Sequence, residues 1–417
     1  MIPLVFYYNW LNRFSFNALA GAIDAAAGLA GLPIRLAQTR DAFRGAASAL
    51  VARHGRAVAA LSLLTPQFEE MRSLARELRA DHSGRLTIVA GGPHATACPE
   101  AVLESCADIV CLGEAESSFP ALLERLLGDG DFRDIPGIAF VRDGRTVRNP
   151  GPPPVALDSY GSFSPSRGMF GPIEITRGCA FACNFCQTSR IFGTGLRHRS
   201  IGSIVRHAEA LGRGRSRIVR LLSPNAFSYG SPDGIGLNPE ALRELLAALR
   251  DAVSPRGRIL FAHFPSEARP EHVTDDTLDL LEEYADNDEI VIGAQSGSPR
   301  MLEACHRRHT VEDVVRAVAA ARRHGYKVIV DFIFGLPGEE PSDVASTLDL
   351  IGTLTGLGAR IHPHGFMPLP GTPFAASPPS GISPAVLQAL EEIRKRRGMY
   401  VNREEILRGF ESGAGPA

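Results

Sequence analysis

Short apolar runs alternate with longer amphipathic ones along the first 130 residues. Residues 2–8, 32–37, 57–64, 86–90 and 108–112 are almost continuously apolar and predict strands buried on both faces. The stretches between them, about 10–17 residues each, carry helical spacing. Thr65-Pro66 predicts a helix start, with Thr as N-cap and Pro at the first helical position. Buried strands separated by helices predict a parallel, doubly wound, Rossmann-like sheet, which binds ligands at the carboxyl ends of its strands. The loops expected there span residues 8–16, 38–41, 65–68, 91–96 and 113–116.

A hairpin is predicted next, over residues 136–149. Ile138-Ala139-Phe140-Val141 leads to a turn at Asp143-Gly144, and Thr146-Val147-Arg148 returns. Gly151-Pro152-Pro153-Pro154 refuses helix and predicts a stiff linker at a domain boundary. Alternation then resumes, with strands predicted at 173–176, 217–222, 258–264, 289–294, 327–334 and 360–366, and helices at 201–211, 239–252 and 310–324. Thr310 with Asp313 forms a capping-box pattern, and Gly325 ends that helix. Six such units predict a partial (β/α)6 barrel with its chemistry at the strands' carboxyl ends. One further helix, 384–399, precedes a frayed end. The expected α/β chain therefore divides into a doubly wound domain (1–130), a hairpin and Pro-rich linker (131–165), a partial barrel (166–375) and a helical tail (376–417).

Composition narrows the class. Hydrophobic residues make up 44% of the 417 and charged residues 22%, which excludes wholesale disorder. A net charge of −2 gives no global field for a polyanion, so no nucleic acid is expected as partner. Lys327 and Lys395 are the chain's only lysines, a compositional bias. The apolar start lacks a basic region and a cleavage site, and no uncharged apolar run nears the ~20 residues of a membrane helix. Seven cysteines without a secretory signal point to a reducing, cytoplasmic setting and to cysteines that carry chemistry.

Three of them, Cys179, Cys183 and Cys186, follow the first barrel strand at C-x3-C-x2-C spacing. Three soft thiolates suit an iron–sulfur cluster, whereas structural zinc wants a fourth nearby ligand. His198 lacks the usual paired spacing for that role. A four-iron cluster on three thiolates leaves one iron open to a small molecule. With Phe185 before the third cysteine, this loop resembles the signature of the radical S-adenosylmethionine (SAM) superfamily. The resemblance implies a [4Fe–4S] cluster on Cys179, Cys183 and Cys186. It also implies cleavage of SAM to methionine and a 5′-deoxyadenosyl radical that takes hydrogen from a substrate.

Further motifs extend the resemblance: Gln295-Ser296-Gly297-Ser298 after the fourth barrel strand, Arg307, Asp331 to Glu339 around the fifth, and Met367 to Pro373 after the sixth. It implies SAM contacts from Phe185, Gln295, Ser296, Arg307, Ile333 and Gly335. One departure stands out. Ser223-Pro224-Asn225 occupies the place of a Gly-Gly-Glu-like segment, so Ser223 and Asn225 become the candidates there. Arg177, Gln187 and Arg190 flank the cysteine loop.

A doubly wound domain ahead of such a barrel resembles the cobalamin-binding class of the same superfamily. Gly91-Gly92-Pro93-His94 and Gly113-Glu114-Ala115-Glu116 carry that likeness. It implies cobalamin contacts from Ser62, Thr65, Gln67, Gly91, Gly92, His94, Gly113 and Glu114. The Asp-x-His-x-x-Gly motif that supplies a lower axial histidine in many cobalamin proteins is missing. Tyr7, Tyr8 and Trp10 lie on the loop after the first strand, and Cys98, Cys106, Cys111 and Cys305 are expected to be structural. The expected activity is a cobalamin-dependent methylase of an unactivated carbon. A small molecule or peptide would be its substrate, and flavodoxin or ferredoxin its reductant. The alternatives are a radical SAM cyclase or rearrangement enzyme that uses cobalamin otherwise or not at all, a methylthiotransferase, and a non-enzymatic corrinoid module.

Overall fold

In the computed structural model, which describes residues 3–128, 130–213, 218–253, 257–378, 382–396 and 398–401, the first strand divides its side chains between two cores. Leu4 and Phe6 of β1 (Leu4–Tyr7) enter one, and Val5 and Tyr7 the other, as the two-residue period of a strand requires. β2 (Ile34–Ala37), β3 (Ala57–Ser62), β4 (Leu86–Gly91) and β5 (Ile109–Cys111) join it in parallel, in the order β2-β1-β3-β4-β5. Helices Arg40–His54, Phe68–His82 and Pro99–Ser105 cover one face, and Arg13–Ala25 and Ser118–Leu127 the other. Strand order reverses between β1 and β3, which opens a crevice at their carboxyl ends.

Two local expectations shift. Thr65–Gln67 forms a 3-10 turn ahead of the helix, and the Thr65 side chain does not cap it. The hairpin forms as β6 (Ile138–Arg142) and β7 (Arg145–Arg148), with Asp143 and Gly144 at φ 51° and 70°, the left-handed pair of a type I′ turn. It does not lead away from the sheet. β6 pairs antiparallel with β5, and Ile138 and Phe140 pack in the same core as Ile109 and Cys111. That burial keeps residues 131–165 in the first compact unit, Met1–Gly171, and the second runs from Pro172 to Ala417.

The second unit contains β8 (Ile173–Glu174), β9 (Thr176–Arg177), β10 (Arg197–His198), β11 (Ile218–Leu222), β12 (Arg258–Leu260), β13 (Glu289–Gln295), β14 (Lys327–Phe334) and β15 (Arg360–Gly365). Residue 217, the expected start of a strand, lies outside the described residues. β8, β11 and β12 form one parallel sheet and β13, β14 and β15 another. Ala268 bridges Ile292, and Ala262 O accepts from Val291 N at 3.1 Å, so the six strands follow one another in sequence order as a partial barrel. β12 stops at Leu260, short of the expected 264, and Ala262 turns at φ 49°. β9 turns aside to pair antiparallel with β10. Thr310 caps helix Val311–Arg323 through the capping box with Asp313, and Gly325 follows at φ 83°. The tail helix spans Pro384–Lys395, while residues 402–417 lie outside the described residues. Among the described residues no helix is long and apolar enough to cross a membrane.

Candidate functional site

The strands' carboxyl ends in the second unit surround a cavity of about 570 Å³, within the range of small-molecule sites. β9 leads into Gly178, whose φ is 92° and where a Cβ would stand 2.2 Å from Gly195 O, so only glycine fits. The chain then wraps back. Cys179 N donates to Gly193 O at 3.1 Å, and Asn184 N to Cys305 O at 3.0 Å. Cys179, Cys183 and Cys186 all line the cavity, Cys183 buried and the others half-buried. Burial pushes the Cys179 and Cys186 thiols up, and the charges of the neighbouring cysteines add to it. Three crowded thiolates are stable only around a positive centre, so this donor set fits an iron–sulfur cluster.

Arg307 is buried beside them. Its Nη1 donates to Cys183 Sγ at 3.5 Å and its Nη2 to Gly293 O at 2.6 Å. Its Nε is buried without a hydrogen-bond partner among the described residues, a donor left for a ligand. Phe185, Gln295 and Ile333 also line the cavity. Gln295 reaches it through a bulge at the end of β13, at φ 70°. Ser296 and Gly335 are not among the lining residues. Ser296 Oγ lies 3.3 Å from Thr347 Oγ1 and accepts from Ser298 N at 3.1 Å, tying its turn to helix Pro341–Gly356. Gly335 N donates to Glu339 Oε2 at 2.7 Å.

Ser223 and Asn225 line the cavity but are occupied. Ser223 Oγ donates to Asn225 O at 2.6 Å, Asn225 Oδ1 accepts from Arg269 N at 3.2 Å, and Asn225 Nδ2 lies 2.8 Å from His272 Nδ1. The next loop adds an acid to the cavity wall. Glu267 lines the cavity, and loss of solvent around its carboxyl, then nearby Asp331, pushes it up to about 7. Glu267, Arg269 and His364 were not singled out from the sequence, and Asp331 entered it only as the start of the fifth-strand motif. For Glu267, the available signal was an acid just beyond the third barrel strand. Of the flanking residues, Arg177 pairs with Glu174 at 2.7 Å, and Gln187 Nε2 donates to Pro370 O at 2.8 Å. Arg190 is exposed.

In the first unit, Ser62, Thr65, Gln67, Gly91, Gly92, His94 and Gly113 come together at the ends of β3, β4 and β5. Gly92 sits at φ 90°, and a Cβ there would stand 2.8 Å from Leu63 N. His94 N donates to Leu63 O at 3.0 Å, and His94 Nδ1 lies 3.2 Å from Thr65 Oγ1. The His94 ring lies on Phe68 with centroids 4.4 Å apart. Burial lowers its pKa, so the imidazole is neutral. His94 Nε2 and Gln67 Oε1 are buried without hydrogen-bond partners among the described residues, which fits a ligand with polar edges such as cobalamin's amides. Gly113 N donates to Thr96 Oγ1 at 3.0 Å. Glu114 Oε2 accepts from Val155 N at 3.1 Å, holding the Pro-rich segment. Trp10 is 66% exposed, with the Arg13 guanidinium 3.6 Å above its ring. Cys106 and Cys111 pack in the cores on opposite faces of the sheet, and burial pushes Cys111 up to about 12, so these two are placed as structural thiols.

Residues 173–351 match the family model of the radical SAM superfamily, and residues 37–123 match that of the B12 binding domain. An uncharacterised methyltransferase of Pyrococcus horikoshii is 26% identical over 63% of this chain and 56% of its own length. The tRNA-2-methylthio-N(6)-dimethylallyladenosine synthase of Moorella thermoacetica is 30% identical over 67% of this chain and 62% of its own length. The chain thus spans about three-fifths of these relatives. Among solved structures, the radical SAM methyltransferase TsrM from Kitasatospora setae, with cobalamin and a [4Fe–4S] cluster bound, aligns with a TM-score of 0.70 at 19% identity. That alignment covers 90% of this chain and 74% of TsrM, and it shows a shared fold.

Proposed function

We propose, from a chain that belongs to the radical SAM superfamily and carries a B12-binding domain, that it is a cobalamin-dependent methylase of an unactivated carbon. Its cofactors are a [4Fe–4S] cluster, SAM and cobalamin. The observation that carries this reading is the presence, in one chain, of a three-cysteine cavity and a glycine-rich crevice with polar atoms unpartnered among the described residues. The methyltransferase relative adds support. When bound, these groups supply reductive cleavage of SAM to methionine and a 5′-deoxyadenosyl radical, and carriage of a methyl group. The chain's own residues bind and enclose. Cys179, Cys183 and Cys186 hold the cluster, and Arg307 offers a buried cation against the charge that cluster and SAM carboxylate bring. Gln295 and Glu267 offer polar atoms to SAM, and Phe185 and Ile333 give apolar walls that keep water from a radical. In the first unit, Gly91, Gly92 and Gly113 let backbone approach the corrin, while Ser62, Thr65, Gln67 and His94 face its edge. The same reading includes a small-molecule or peptide substrate, a low-potential electron donor such as flavodoxin or ferredoxin, and a cytoplasmic location.

The methylthiotransferase reading draws on the Moorella relative, but Cys106 and Cys111, on opposite faces of one sheet, offer no shared second cluster. Anaerobic protein loaded with cobalamin, given SAM carrying a deuterated methyl group, a reductant and cell extract, should release 5′-deoxyadenosine and place the label on carbon in a product. Failure to bind corrinoid would favour cobalamin-free radical chemistry, and label found on sulfur would favour methylthiolation.

A further inference from the structure

Two histidines on the last barrel strand stand beside an aspartate on its neighbour, and the reading above gives the histidines no task. Asp331 of β14 is paired in register with His362 of β15. His362 and His364, two residues apart on one strand, project from the same face. We propose that Asp331, His362 and His364 form a site for one first-row divalent metal ion, separate from the cysteine loop.

The distances support it. The three donor atoms all lie within 4.8 Å of one another. Asp331 Oδ1 is 2.9 Å from His362 Nδ1 and 3.6 Å from His364 Nε2. Donors bound at about 2.1 Å to one ion stand about 3.0–3.4 Å apart in octahedral or tetrahedral geometry. The two observed separations bracket that span, so an ion needs only small side-chain shifts. Two imidazoles and one carboxylate suit Zn²⁺ or Fe²⁺ and do not suit Mg²⁺, which prefers oxygen donors and water.

Charge points the same way. Asp331 is 4% exposed, and the Glu267 carboxyl adjoins it from the cavity wall. A buried carboxylate calls for a cation. The donors sit on two paired strands, which fixes their spacing better than a loop would. His362 and His364 keep 29% and 43% of their side-chain surface exposed, which leaves an entry path. Asp331 and His364 both line the cavity. Three protein donors leave at least one coordination position free, as in catalytic zinc sites. A carboxylate, hydroxyl or amine of the substrate, or water, would take that position.

The test separates this ion from the cluster. A full-length Cys179→Ala/Cys183→Ala/Cys186→Ala variant, stripped with chelator, should bind one equivalent of Co²⁺, read as visible d–d absorption with no thiolate charge-transfer band. Zn²⁺ should displace it. His362→Gln and His364→Gln, each added to that variant, should weaken Co²⁺ binding by about 100-fold or more, with unchanged circular dichroism. Absence of tight Co²⁺ binding in the folded parent, or equal binding by the histidine variants, would overturn the proposal and leave Asp331 as a hydrogen-bond partner only. If the cysteine variant does not fold, metal content of chelator-washed, cluster-loaded wild type against His364→Gln decides. One equivalent of non-cluster metal should be present in the first and missing from the second, and equal content sinks the site. None of these readouts uses SAM or cobalamin, so either outcome leaves the methylase reading standing or falling on its own assay.

Discussion

The two units place their loops at the same end of parallel strands, yet they commit those loops differently. In the second unit, side chains do the work. Three cysteines, a buried arginine and several acids line one cavity, and the loop that carries the cysteines is pinned by backbone bonds to residues 193 and 305. In the first, the backbone does most of it. Glycines at φ 90° and 63° set the crevice at Gly92 and Gly113, and Thr65, Gln67 and His94 furnish the few polar atoms. A metal cluster needs specific ligand atoms, so its site is written in residue types. A large planar ligand laid on a sheet edge needs room and amides, so its site is written mostly in the absence of side chains.

The largest expected effect tests whether the units are functionally separable. Cys183→Ala should abolish cluster assembly and 5′-deoxyadenosine formation while leaving cobalamin affinity unchanged. Iron content, product chromatography and corrinoid binding measured on one preparation check this. Residual SAM cleavage in that variant would break the assignment of the cysteine loop.

Next come two glycines compared directly. Gly178→Ala would bring a Cβ to 2.2 Å from Gly195 O, and Gly92→Ala to 2.8 Å from Leu63 N, both at positive φ. Each should cost about 2–4 kcal/mol of stability. The first should lower iron incorporation and spare corrinoid binding, and the second should do the reverse. If both variants lost both cofactors equally, the contrast between the units would fail.

Much of this was legible in the sequence. Strands β1 and β3 show as unbroken apolar runs because each feeds two cores, and the Thr310–Asp313 box predicts its helix start because capping is local. The cysteine loop was legible because its three ligands lie within eight residues of chain. Glu267 and the His362–His364 pair were not, since their meaning appears only when strands from distant parts of the chain align. Ser296 and Glu114 carried the right motif, but their partners, Thr347 and Val155, lie 51 and 41 residues further on. No local pattern announces those bonds.

A smaller effect concerns pH. Burial pushes the Glu339 carboxyl up to about 7 from an ordinary 4.5, although Gly335 N donates to it. The folded chain therefore keeps a proton between those values that the unfolded chain has lost. Stability contributed by Glu339 is greatest at the acid end of that window, falls as pH rises through it, and is flat above about 7. Because Glu339 is only partly buried, the fall should be about 1–2 kcal/mol. Glu339→Gln should flatten that part of the profile in denaturant unfolding at pH 5 to 8. A wild-type profile that rises across the same window would contradict the assignment.

The smallest effect bears most directly on how the first unit differs from the second. Glu114 has the sequence position of a cobalamin contact, but its carboxylate accepts from Val155 N, 41 residues on, and so fastens the Pro-rich segment to the sheet. A carboxylate in that role serves the fold. Glu114→Ala should therefore cost about 1 kcal/mol, the usual effect of removing one partly buried hydrogen bond, and should show as a lower thermal midpoint. Corrinoid affinity, measured well below that midpoint, should stay within about threefold of wild type, a change of less than 1 kcal/mol in binding. His94→Leu gives the opposite pairing. It removes one of the unpartnered polar atoms of the crevice while filling a buried, largely apolar position against Phe68, so corrinoid affinity should fall more than stability. A tenfold loss of affinity in Glu114→Ala would restore that residue to the crevice, and the first unit would then bind its ligand as the second does, through charged side chains.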